Sequence, residues 1–122
     1  MEKKKLGEIG EKIAEEYLKK KGYKILEKNY IPKKIKPFFG EIDIVAQKGE
    51  TIIFVEVKTT SSLIKGEEKV NFIKIKKIKK TAEFFLTERR LLDCFWQIDV
   101  ISIEILKDEK RAKLYHFENI LC

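Results

Sequence analysis

Gly40-Glu41-Ile42-Asp43-Ile44-Val45-Ala46, followed after Lys48-Gly49-Glu50 by Thr51-Ile52-Ile53-Phe54-Val55-Glu56-Val57-Lys58-Thr59, is the stretch that decides the fold. Both halves are rich in β-branched and aromatic residues, and the short Gly-containing connection predicts an antiparallel hairpin. From Ile52 to Val57 the second strand is apolar almost throughout, the composition of a central strand covered on both faces.

Upstream of the hairpin, Lys5 to Lys21 carries Leu6, Ile9, Ile13, Tyr17 and Leu18 at helical spacing, which predicts an amphipathic helix terminated by Gly22. Tyr23 to Tyr30 reads as a strand, and Ile31 to Phe39, with both prolines and a group of lysines, as a loop. Downstream, Ser61 to Glu68 is a polar loop. Val70 to Leu86 is a second helix with Val70, Ile73, Ile78, Phe85 and Leu86 facing inward. Trp96 to Ile105 is a fourth strand and Lys113 to Phe117 a short edge strand. Helix, three strands, helix, two strands makes an α/β chain whose economical solution is one mixed five-stranded sheet packed between helices. A chain of 122 residues suits a single domain over 1–122 with one ordinary core. Spacing alone leaves strand order open.

Lys+Arg outnumber Asp+Glu 27 to 20, a net charge of +7 that favours polyanionic partners, nucleic acid first and acidic lipid second. A Lys- and Glu-rich composition of the heat-adapted kind accounts for the same excess. No apolar stretch approaches the roughly 20 residues of a membrane helix. Met1 to Lys5 is charged with no apolar run after it, unlike a signal peptide, so no membrane association and a cytoplasmic location are expected. Cys94 and Cys122 have no partner at disulfide-framework or zinc-ligand spacing and read as plain thiols. His116, in an apolar tail segment, reads as structural.

Glu56 and Lys58 interrupt the apolar strand on the face shared by Ile52 and Phe54. An ionised carboxylate there is costly unless paired or metal-bound. The hairpin supplies Asp43, opposite or diagonal to Phe54–Glu56, and neighbouring cross-strand positions about 5–8 Å apart let two carboxylates grip one ion. Carboxylate oxygens with room for water suit Mg²⁺ or Mn²⁺ rather than zinc. Asp43 and Glu56 as ligands with Lys58 as a fixed positive charge make a site suited to phosphate hydrolysis. Glu11 lies at the border of the first helix's apolar face, where it either reaches the same metal group through water or stands as a solvated glutamate. Gly7 and Gly10 beside it would let that helix approach the sheet closely. Basic residues expected at a nucleic-acid backbone are Lys33, Lys34 and Lys36 in the loop and Lys74, Lys76, Lys77, Lys79 and Lys80 on the second helix, with the neutral hydroxyl of Thr59, next to Lys58, as a further contact. A solvated helix face is the alternative for that lysine run.

Gly7-x-x-Gly10-Glu11-x-x-Ala14-x-x-Tyr17-Leu18, Gly22-Tyr23, Asn29, Gly40 to Ala46, Phe54 to Thr59, Val70, Lys74, Ala82, Leu86, Asp99-Val100 and His116-Phe117-Glu118-Asn119 together resemble the YraN-like bacterial proteins, uncharacterised protein family 0102. That family is similar to archaeal Holliday-junction resolvases and to the restriction-endonuclease-like PD-(D/E)XK nucleases. The resemblance implies metal ligation by Asp43, Glu56 and the Val57 carbonyl, catalysis aided by Lys58, and a supporting acid at Glu11. The chain departs from the family's pattern at Thr60, where an arginine usually follows the Lys-Thr pair, at Gln97-Ile98, where Arg-Phe is usual, and in a longer loop from Ile31 to Phe39.

The leading expectation is therefore a structure-selective DNA endonuclease that hydrolyses phosphodiesters of branched or junction DNA with Mg²⁺ or Mn²⁺. A homodimer would suit a two-strand cut. The alternatives are a nucleic-acid-binding module with an unused site, and a protein-interaction component without catalytic activity.

Overall fold

A computed structural model describes residues 3–32, 39–61, 72–108 and 110–121. Helix α1 spans Lys3–Lys20, and its fully buried positions are Leu6, Gly10, Ala14 and Leu18, a strict four-residue spacing. Ile13 and Tyr17 border that stripe and Ile9 is exposed, so the face is narrower than its apolar residues suggest. Gly22 ends the helix at φ 91°, with Tyr23 N donating to Leu18 O at 2.9 Å and Gly22 N to Lys19 O at 3.0 Å. These two bonds form a Schellman cap, in which a left-handed residue closes the last turn.

Strand β1 (Lys24–Tyr30) pairs antiparallel with β2 (Ile42–Lys48), and a bulge interrupts the ladder between Ile25 and Glu27. The expected hairpin is present: β2 pairs antiparallel with β3 (Thr51–Ser61) from Ile44↔Val55 to Lys48↔Thr51. Gly49 at φ 60° takes the first position of the two-residue connection, the pattern of a type II′ turn. Helix α2 (Phe72–Glu88) leads to β4 (Phe95–Ile105), parallel to β3, and β5 (Ala112–Phe117) adds antiparallel at the edge. Sheet order follows chain order, β1-β2-β3-β4-β5. This is the mixed five-stranded sheet flanked by two helices of a restriction-endonuclease-like fold. β3 runs two residues past Thr59 because β4 continues to pair with it, Thr60↔Glu104 and Ser61↔Ile105.

Each sheet face carries its own core. Under α1 lie Ile44, Ala46, Ile53, Val55, Ile101, Ile103 and Ile105. Under α2 lie Val45, Ile52, Phe54 and Ile98, packed by Ile78, Ala82, Phe85 and Leu86. Ile73, expected inward, is 69% exposed. Counted back from Ile78 it falls about 140° off the buried stripe at 100° per residue, so the helix turns it to solvent. Val70, and the predicted loop beyond Ser61, lie outside the described residues. Among the described residues no helix is long and apolar enough to cross a membrane.

Of the two helix glycines singled out, Gly10 alone makes the close approach: a Cβ there would overlap Thr59 Oγ1, whereas one at Gly7 meets nothing within 4 Å. Gly10→Ala is expected to cost about 1–3 kcal/mol in urea denaturation, the range for an overpacked site. Thr59→Gly in the same chain should recover part of the loss, whereas Gly7→Ala should be neutral or mildly stabilising.

Candidate metal centre

Continuing the β2–β3 register one step beyond Ile44↔Val55 sets Asp43 opposite Glu56. Alternation places Asp43 with Val45 and Glu56 with Phe54, both on the face that α2 covers. Their relative exposures are 9% and 3%, so two acids meet inside the protein rather than at its rim. Beyond the last β2–β3 backbone pair, the Val57 N–H donates to Asp43 Oδ2 at 2.7 Å. The β-ladder thus hands over to a side chain at the point where the acids converge.

Burial, foremost, and then the hydrogen bond and charge of Glu56 push the Asp43 carboxyl from its ordinary 3.8 up to about 10. The Val57 N–H works against this rise, and the charge of Glu11 adds to it. Without a cation the pair therefore shares a proton, as like charges at this separation cannot both ionise cheaply. Lys74 of α2 brings its ammonium to 3.0 Å from Glu56 Oε2. The approach is not angled as a hydrogen bond, and Oε2 remains a buried oxygen without a donor. Two adjoining buried carboxylates, one oxygen of which has an ion pair but no hydrogen bond, are the donor set that a hard divalent cation satisfies, with oxygen ligands alone.

The remaining expected residues distribute as follows. Lys58 sits one step along the same face as Glu56, half-buried, opposite Ser102 of β4. Glu11 is within electrostatic range of Asp43, but its Oε1 accepts a hydrogen bond from Asn29 Nδ2 at 2.9 Å, which holds it to β1. Val57 contributes its N–H to the site. Thr59 is not brought to the carboxylates: it points to the α1 face, against Gly10. Among the α2 lysines, Lys74 reaches Glu56, while Lys76, Lys77, Lys79 and Lys80 are exposed. Lys33, Lys34 and Lys36 lie outside the described residues.

A second group escaped sequence reasoning. Asp99, His116 and Glu118 each offer a ligand atom, all within 4.8 Å of one another, and could hold a metal ion. Asp99 is fully buried, yet its oxygens are already engaged: Oδ1 accepts from Gln97 Nε2 and from Asn119 N, both at 2.9 Å, and Oδ2 lies 2.7 Å from His116 Nε2. The other ring nitrogen, Nδ1, is 2.9 Å from the Tyr17 hydroxyl of α1. This chain of contacts fastens β5 and the tail to the first helix, and an ion entering it would displace the His116–Asp99 contact. The signal that could have found it was an acid inside the apolar run Ile98-Asp99-Val100-Ile101, the same signal that singled out Glu56.

The model of the Uncharacterised protein family UPF0102 matches residues 10–103. A UPF0102 protein of Alkaliphilus oremlandii is 42% identical over 120 residues, covering 95% of this chain and 97% of that protein. A UPF0102 protein of Caldanaerobacter subterraneus is 43% identical over 121 residues, covering 96% and 94%, and one of Caldicellulosiruptor saccharolyticus is 41% identical over 105 residues, covering 84% and 85%.

Two outcomes are expected. Because Asp43 titrates near 3.8 unfolded and about 10 folded, the native state holds the extra proton between these values, and the metal-free protein should lose stability as pH rises through that window. Mn²⁺ binding must release this proton and should tighten as pH rises, with heats that depend on the buffer's ionisation enthalpy; Asp43→Asn should remove both effects in titration calorimetry. Separately, Asp99→Ala removes the acceptor facing His116 Nε2, Gln97 Nε2 and the Asn119 N–H and should cost about 1–3 kcal/mol in denaturant unfolding, with no change in the Mn²⁺ heats.

Proposed function

The chain belongs to uncharacterised protein family UPF0102, and from that premise we propose that it is a Mg²⁺- or Mn²⁺-dependent endonuclease that hydrolyses phosphodiester bonds, with branched or junction DNA as its substrate. The observation that carries this reading is the buried Asp43–Glu56 pair, two carboxylates brought together on adjoining strands. Asp43, Glu56 and the Val57 carbonyl hold the ion. Once bound, such an ion polarises a phosphoryl oxygen and makes its attached water acidic enough to attack at neutral pH.

The residues around the pair do the rest. Lys58, on the same face as Glu56, stabilises negative charge that develops on the phosphoryl group. Lys74 neutralises Glu56 and brings a second cation to the same mouth. Glu11, held by Asn29, adds negative potential at Asp43 and acts through the electrostatics of the site. The exposed lysines of α2 and the net charge of +7 attract the phosphate backbone in a salt-dependent way. The protein works in the cytoplasm, and pairing of two copies would suit cleavage of both strands.

The test is a nuclease panel of junction, flap, duplex and single-stranded substrates with Mg²⁺ or Mn²⁺. Wild type is expected to cut, EDTA and Asp43→Asn to abolish cutting, and Lys58→Ala to slow it about 10²–10³-fold, the loss from removing one preorganised charge. Salt-dependent gel shifts that persist in EDTA, with no turnover on any substrate, would instead identify a binding module.

A further inference from the structure

Side chains of β5 alternate between the two faces of the sheet. Leu114 and His116 turn towards α1, where they pack with Tyr17 and the first core. Lys113, Tyr115 and Phe117 turn the other way. Tyr115 and Phe117 are 52% and 53% exposed, a high value for two aromatic rings at neighbouring same-face positions of one edge strand.

The register connects these rings to the candidate metal centre. Phe117 pairs with Val100, Val100 pairs with Glu56, and Glu56 stands opposite Asp43; one step along, Tyr115 pairs with Ser102 and Ser102 with Lys58. Phe117 is therefore two strands from Glu56 in one row of the α2 face, roughly 10 Å at the spacing of hydrogen-bonded strands. Among the described residues the α2 core meets β4 at Trp96 and Ile98, and Val100, although 7% exposed, belongs to neither core. The face thus continues outward from the carboxylates as Lys58, Val100, Ser102 and then the two rings.

We infer that Tyr115 and Phe117 are a stacking ledge for unpaired bases next to the phosphodiester held at Asp43 and Glu56, so that the preferred substrate is single-stranded at the point of cutting. This inference rests on the reading of the carboxylate pair as a phosphodiester site. One or two nucleotides span the distance from the acids to the rings, since successive phosphates of an extended strand lie about as far apart as one to two strand spacings. Every base has a π-face, so stacking on an aromatic ring accepts any sequence but requires the base to be out of the duplex. The charge matches: Lys58 on this face and Lys74 at the acids offer cations to the backbone while the rings take the bases. A second copy of the chain is the poorer occupant, because each brings a net charge of +7 to the contact.

The experiment measures anisotropy of a labelled 12-nucleotide oligo-dT strand and of a blunt 12-base-pair duplex, in EDTA so that binding is read without cleavage. Wild type is expected to prefer the single strand. Tyr115→Ala/Phe117→Ala should weaken single-strand binding about tenfold or more, leave duplex binding and the salt slope unchanged, and keep the wild-type melting curve. Tyr115→Phe and Phe117→Tyr should bind as wild type, which a merely folded but ring-free edge would not. No single-strand preference in wild type, an equal loss on both ligands, or a double variant whose only change is loss of a dimer in sedimentation would overturn the inference. Cleavage assays on the same ligands separate the two readings. Duplex cutting that the double variant retains in full removes the ledge and keeps the nuclease. Ring-dependent single-strand binding without cutting under either metal keeps the ledge and removes the nuclease.

Discussion

Two carboxylates facing each other across β2 and β3, each less than a tenth exposed, are the constraint on which the site depends. Burial penalises their charge and proximity penalises it again, so the pair is tolerable only with a proton, a cation or both between them. The protein supplies partial compensation in the Val57 N–H, which bonds Asp43, and in the Lys74 ammonium, which pairs with Glu56.

The two faces of the sheet divide the remaining work. The α1 side is sealed: Gly10 lets the helix press on Thr59, and the Tyr17–His116–Asp99 chain ties helix, edge strand and tail together. On the α2 side the helix covers β2, β3 and the start of β4, and its core stops at Ile98. The carboxylates are buried where that core ends, and the same row of the sheet continues through Val100 to the exposed ring of Phe117.

Much of this was legible from residue patterns. Glu56 within an apolar run announced a buried acid that needed a partner, and Asp43 on the adjoining strand was that partner, because a short Gly-containing turn leaves the register little freedom. The same signal at Asp99 went unread, since its partners His116, Asn119 and Tyr17 are far away in the chain and no local period brings them together. Ile73 was misplaced because an apolar residue in a helix's first turn is compatible with several stripes until the sheet picks one. Gly7 and Gly10 look alike as residues, and only the position of Thr59 distinguishes them.

By itself, then, the sequence determined the elements, the hairpin and the meeting of Asp43 with Glu56, all consequences of short-range periodicity and of a turn that spans two residues, and its motifs carried the resemblance to the family. Tertiary structure alone decided the strand order, the parallel pairing of β3 with β4, the seating of Lys74 on Glu56 and the turning of Thr59 to the far face. It also set the exposed rings of β5 in line with the acids. These depend on which surfaces pack across long stretches of chain, and packing free energy is shared among many contacts rather than written at any one position.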